Sequence, residues 1–200
     1  MGILSEPFSD IVNYDGKQYR TNAAYDTVLL VQRMYRDPAL ENADKIEIAL
    51  ENLLAQDYRI QGKNLQWKAG LLEAIMKSQI ELPQKPSAGV QKRLVDFELD
   101  GEYIYASFLQ DYGLDLIEQK GKLHWKKFIW LFQGLSEKTK IKEIMRIRGT
   151  EEPRPNQYNQ KEIQRIRELQ SYYALPVEGG GGQDGLNRLF RALEAQAVKV

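Results

Sequence analysis

Along this 200-residue chain the spacing of apolar and polar positions changes period several times, and each change marks an element. Ile11 to Tyr14 and Lys17 to Arg20 flank Asp15-Gly16, the pair that supplies the positive φ angles of a two-residue type I′ turn. A small β-hairpin is predicted there. From Ala23 to Arg36 the period becomes helical, with Tyr25, Val28, Leu29 and Val31 on one side and Asp37-Pro38 as a stop. A second helix is expected after Asn42 as N-cap, with Ile46, Leu50, Leu53 and Leu54 as its stripe and Glu47, Glu51 and Asn52 facing away. A third runs from Asn64 to about Ile80 through Trp67, Leu71, Leu72, Ile75 and Met76.

Glu81 to Gly89, with two prolines, a serine and a glycine, reads as a linker. Beyond it, DFELDGEYIYASFLQDYGLDL has the marks of a capped helix. Asp100 is placed to accept from first-turn amides, Leu99 and Ile104 to staple, and Gly113 to end the helix in a left-handed C-cap. Tyr105, Phe108, Leu109 and Tyr112 are expected to line its apolar face. In LHWKKFIWLF the residues Trp125, Phe128, Ile129, Phe132 and Leu135 recur at helical spacing, and Trp130 and Leu131 widen the arc until Lys126, Lys127 and Gln133 hold the polar side. A shorter helix, capped by Ser136, carries Ile141, Ile144, Met145 and Ile147. A charged helix from Gln160 to Tyr173 carries Ile163, Ile166 and Leu169. After PVEGGGGQDG, the residues Leu186, Leu189, Phe190 and Leu193 form a compact amphipathic stripe behind the cap candidate Asp184.

The fold expected is mainly α, a helical bundle-like arrangement with a small N-terminal β-hairpin. Residues 1–80 hold the hairpin and first helices, 81–95 the linker, 96–175 the central helical region, 176–184 a glycine-rich hinge and 185–200 the terminal helix. That helix is too short to stand alone in water, so its apolar face needs a protein surface, either its own domain or another chain.

Charge and chemistry change this picture little. Lys plus Arg and Asp plus Glu both total 28, so no net field attracts nucleic acid or an anionic membrane. No segment approaches the roughly 20 apolar residues that span a bilayer, and the N-terminus lacks a basic signal region. A soluble cytoplasmic protein is expected. The absence of cysteine excludes disulfides and thiolate metal sites. His124, the one histidine, admits three readings: a catalytic imidazole, part of a stacking platform with the tryptophans, or a residue packed at a helix start. It has no second histidine, no cysteine and no Gly-x-Ser-x-Gly elbow to work with. The run Gly179 to Gly182 leads into Gln183-Asp184-Gly185 rather than the Gly-Lys-Ser/Thr of a phosphate loop. Arg146 and Arg165 each follow a glutamate at the spacing of intrahelical ion pairs, which favours solvated helix faces over nucleic-acid contacts. No enzyme, cofactor or metal site is expected.

The run from Asp96 to Leu116, followed by LHWKKFIWLFQGL and TKIKEIMRIRG, resembles the bacteriophage gene product fifteen family. The resemblance covers most of the chain up to Tyr173 and is closest over Asp96 to Gly149. It departs at Lys126, where the family often has a second aromatic after the Leu-His-Trp. Periodicity places that position on the polar face, where the change alters a partner contact rather than the core. The resemblance implies a non-enzymatic tail assembly chaperone of long-tailed phages and prophages, working in the host cytoplasm. Its implied partner is the tape measure protein, with the tail tube protein and a second copy of the chain as further candidates. A structural subunit of the tail or its junction is the alternative. Partner contacts are expected at Trp125 and Lys126 and along Leu186, Leu189, Phe190 and Leu193.

Overall fold

The hairpin forms as its turn dictates. In the computed structural model, which describes residues 8–55, 60–82 and 92–176, β1 (Ile11–Tyr14) pairs antiparallel with β2 (Lys17–Arg20), Ile11 opposite Arg20 and Tyr14 opposite Lys17. Asp15 and Gly16 take φ values of 49° and 69°, the left-handed pair that a type I′ turn requires. A lone hairpin is marginal in water, and this one lies on a helix. Trp67 meets Tyr14 edge-on at 5.2 Å and Tyr19 at 6.0 Å, and its indole N–H donates to Asp15 Oδ2 at 3.0 Å. Gly70 makes room for this, since a Cβ there would run into the Tyr14 hydroxyl.

The chain divides into two compact units. The first holds, among the described residues, 8–55, 60–82 and 117–130; the second holds 92–116 and 131–176. In the first, α1 (Tyr25–Arg36) packs against α2 (Asn42–Leu53), and α2 against α3 (Leu65–Ile75), which runs on into a π-helical turn, Met76–Ile80. The Asn64 side chain caps α3 by accepting from Trp67 N–H at 2.8 Å. Segment 117–130 is tied to the start of α1 by backbone bonds: Trp125 N–H donates to Ala23 O at 2.8 Å, and Tyr25 N–H to Leu123 O at 2.9 Å. Leu50, Leu53, Leu71, Ile75, Trp125 and Phe128 are among the residues filling the core.

The orientation of α2 differs from expectation. Asn42 is its first helical residue, and Glu41 stands at the cap without a side-chain bond. The buried positions are Lys45, Ala49, Leu50 and Leu53, while Ile46 is only half-buried. Lys45 donates from Nζ to Tyr35 O at 3.0 Å, so the stripe rotates to bury an ammonium on a carbonyl. Glu47 does not face away; it pairs with Lys68 Nζ of α3 at 2.6 Å.

In the second unit α4 (Gly101–Tyr112) packs on α6 (Lys140–Gly149), and α6 on α7 (Gln160–Tyr172). Gly113, φ 61°, ends α4 as expected, and its N–H returns to Leu109 O. Other local expectations yield to tertiary demands. Asp100 sits at the cap of α4 but bonds no first-turn amide. Its carboxylate takes a two-pronged pair from Arg148 of α6, Nη1 at 2.6 Å and Nη2 at 2.8 Å, and accepts Asp96 N–H at 2.9 Å. Asp96, paired with Arg93, accepts instead from the amides of Glu98 and Leu99. Leu99 is 53% exposed, so no staple forms with buried Ile104. The inward face of α4 is Ile104, Ser107 and Phe108; Leu109 and Tyr112 are exposed and Tyr105 is half-buried. Thr139, not Ser136, stands at the start of α6, because Ser136 is engaged by Asp111 through both its amide and its hydroxyl. The remaining donors of Arg148 reach Leu94 O and Tyr173 O, which fastens the end of α7 to α6.

Candidate partner-binding site

His124 begins α5 (Trp125–Gln133), and its surroundings decide among its three readings. It is 8% exposed, pairs by a backbone bridge with Ala24, and lies face to face with the Phe8 ring at 4.5 Å. Nδ1 accepts the Lys126 N–H at 3.1 Å, which caps the helix. That assigns the proton of the neutral ring to Nε2, facing Gln79 Oε1 at 3.4 Å. Burial is the main cause that drives its pKa down to about 4; Lys126 and Lys127 push the same way, and Asp10 opposes them. Among the described residues no three histidine or carboxylate side chains gather in a way that could hold a metal ion. His124 is therefore the packed start of a core helix.

Two of the residues expected to meet a partner, Trp125 and Lys126, lie among the described residues. Trp125 is wholly buried and stacks with Phe128 at 5.6 Å, while Phe128 stacks in turn with Tyr25 at 5.0 Å. The stripe through Phe128, Ile129, Phe132 and Leu135 is buried as its spacing implies. Lys126 is half-buried rather than a free surface cation. Its Nζ donates to Ser78 O at 2.8 Å, and burial lowers its pKa, with Glu81 opposing. Leu186, Leu189, Phe190 and Leu193 lie outside the described residues.

A concave apolar surface appears elsewhere in the first unit. Leu30, Val31 and Met34 of α1, Pro38 and Leu40 of the connecting loop and Ile48 of α2 line a cleft of about 560 Å³, edged by Arg33, Arg36, Asp37 and Asn52. The inward stripe of α1 is Tyr25, Val28, Val31 and Tyr35; Leu30 and Met34 lie beside it, and Leu30 remains 41% exposed. Leu30, Met34 and Pro38 recur every four residues. In the sequence that spacing is masked by the stronger stripe next to it, which already accounts for the helix.

A cleft between two amphipathic helices, floored by aliphatic side chains and edged by charges, has the form in which proteins receive the apolar face of a helix. A family model described as Bacteriophage Gp15 protein matches residues 4–175, and the chain belongs to that family. It is accordingly a phage structural or morphogenesis protein. No curated protein and no solved structure matches the chain. Among the described residues no helix is long and apolar enough to cross a membrane.

Proposed function

We propose that this chain is a non-enzymatic tail assembly chaperone that binds the tape measure protein in the host cytoplasm before the tail tube closes around it. The α1–α2 cleft is the observation that carries the reading within this phage family. Its aliphatic lining suits the apolar face of a helical client. The charges at its edge suit a surface that must release the client, since polar rims contribute little to affinity. The tail tube protein is a second client under the same reading, held by the same chemistry. Co-expression of the tape measure gene with and without this chain tests the proposal. A gain in soluble tape measure protein is expected, and purified particles should lack the chain. Stoichiometric copies in the particle together with unchanged tape measure solubility would contradict the chaperone role and favour a structural subunit.

A further inference from the structure

Helix α3 does not keep its pitch to the end. The buried residues come in pairs at steps of four, Leu71 and Leu72, Ile75 and Met76, then Gln79 and Ile80, while Lys77 and Ser78 are exposed. A step of four overshoots one α-helical turn by about 40°, so in an unbroken α-helix the third pair would stand about 80° round from the first. The chain corrects this by widening. Met76 N–H still reaches Leu72 O, four residues back, but Glu81 N–H reaches Met76 O, five residues back, at 2.8 Å. The π turn Met76–Ile80 thus takes up one extra residue, and Ile80 ends wholly buried, with Leu82 nearly so.

Local preference favours the other register. Met76 to Ile80 contains no glycine or proline, so nothing in the sequence breaks an α-helix there, and π turns are rare where packing does not demand them. The opposing pull comes from the start of α5. Ser78 O belongs to the last turn, whose carbonyls have no partner within the helix. Lys126 Nζ donates to it at 2.8 Å, a cation at the negative end of the helix dipole. His124 Nε2 faces the side-chain oxygen of buried Gln79 at 3.4 Å, so the next residue is held from the same side. Both attachments come from the residues flanking Trp125, whose ring is enclosed and whose amide is fixed on Ala23 O. The π turn is therefore tied to a segment that is itself anchored in the core.

We infer that Lys126 is a register clasp: its ammonium, with His124 at Gln79, holds residues 76–80 in the π register, and without it the segment relaxes toward an α-helix that turns Ile80 to the edge of the buried face and redirects the chain as it leaves Leu82. The inference does not depend on the function proposed above. Lys126 acts here as a positioning residue, so the test reads the register and not stability alone. The full chain has no cysteine, so Ile80→Cys supplies a single thiol whose labelling rate reports how far position 80 is enclosed. In NMR spectra, couplings across hydrogen bonds identify the acceptor of Glu81 N–H. With Lys126 in place the acceptor should be Met76 O and labelling should be slow. Lys126→Met, which keeps the stem and removes the donor, should move the acceptor to Lys77 O in part of the molecules and speed labelling about fivefold, the worth of one ordinary hydrogen bond. Lys126→Arg, which can still donate, should stay close to wild type. Ile163→Ala, a core truncation in the other unit, should lower overall stability and change neither readout. Met76 O as sole acceptor with unchanged labelling in Lys126→Met would overturn the inference. So would equal acceleration by Ile163→Ala, which would mean general opening, or by Lys126→Arg, which would mean that the bond to Ser78 O does not set the register.

Discussion

Acid should destabilise this protein through His124 in a way that can be isolated, because the chain has one histidine. The ring is buried and neutral, its Nδ1 holds the Lys126 amide, and burial lowers its pKa from 6.5 to about 4. The unfolded chain therefore binds the proton first. Between pH 6.5 and 4 the unfolded state carries more protons than the folded one, so stability falls with falling pH. The full shift corresponds to about 3 kcal/mol, and about 2 kcal/mol of that is lost between pH 7 and 5 by the same linkage. Carboxylates also begin to titrate in this range, so the comparison is with His124→Asn, which can still accept the Lys126 N–H but carries no titratable ring. Urea melts of both proteins at pH 7, 6 and 5 should show the wild type losing about 2 kcal/mol more than the variant. NMR should place the imidazole titration near 4. An imidazole titrating near its ordinary value, with parallel pH dependence in the two proteins, would refute the buried neutral assignment.

Trp125→Ala should cost about 3 to 5 kcal/mol in a urea melt, the range for truncating an enclosed aromatic; a loss below about 1 kcal/mol would mean that the ring is not packed as described. Lys126→Ala should cost about 1 kcal/mol through its bond to Ser78 O, more than an ordinary surface change and far less than Trp125→Ala; no loss at all would return Lys126 to the free surface. Asp100→Asn leaves the Arg148 guanidinium buried without its counter-charge and should cost about 3 to 5 kcal/mol, whereas joint replacement by Asp100→Leu and Arg148→Met should recover most of it. A double variant no more stable than Asp100→Asn would show that the bonds from Arg148 to Leu94 O and Tyr173 O, not the ion pair, hold the cluster.

The elements were legible where local chemistry and tertiary packing agree. Asp15-Gly16 and Gly113 need left-handed backbone whatever surrounds them, so the hairpin and the end of α4 could be placed from the residues alone. The α5 stripe was legible because Trp125, Phe128, Ile129 and Phe132 recur at the spacing of one helix face, and all four are buried. Reading failed where polar residues serve distant partners. Asp100 looks like a helix cap and is one by position, yet its carboxylate is claimed by Arg148, 48 residues away. A signal was present: Arg148 falls three and four residues after Met145 and Ile144, inside the buried stripe of α6, as Lys45 stands four residues before Ala49 in that of α2. A cation at an apolar-face position announces a buried acceptor without saying which. The partner surfaces were the least legible. Trp125 is ambiguous in the sequence because aromatic residues suit both cores and interfaces, while Leu30 and Met34 acquire meaning only from the cleft that the folded chain leaves beside them.

The central claim is that the chain holds the tape measure protein, and affinity capture from a co-expression lysate tests it most directly. Tagged wild-type chain should retain the tape measure protein in defined stoichiometry, and Leu30→Glu, which sets a charge into the α1–α2 cleft at a half-exposed position, should retain far less while melting as the wild type does. Absence of tape measure protein from the wild-type capture, with both proteins soluble and folded in the lysate, would contradict the account.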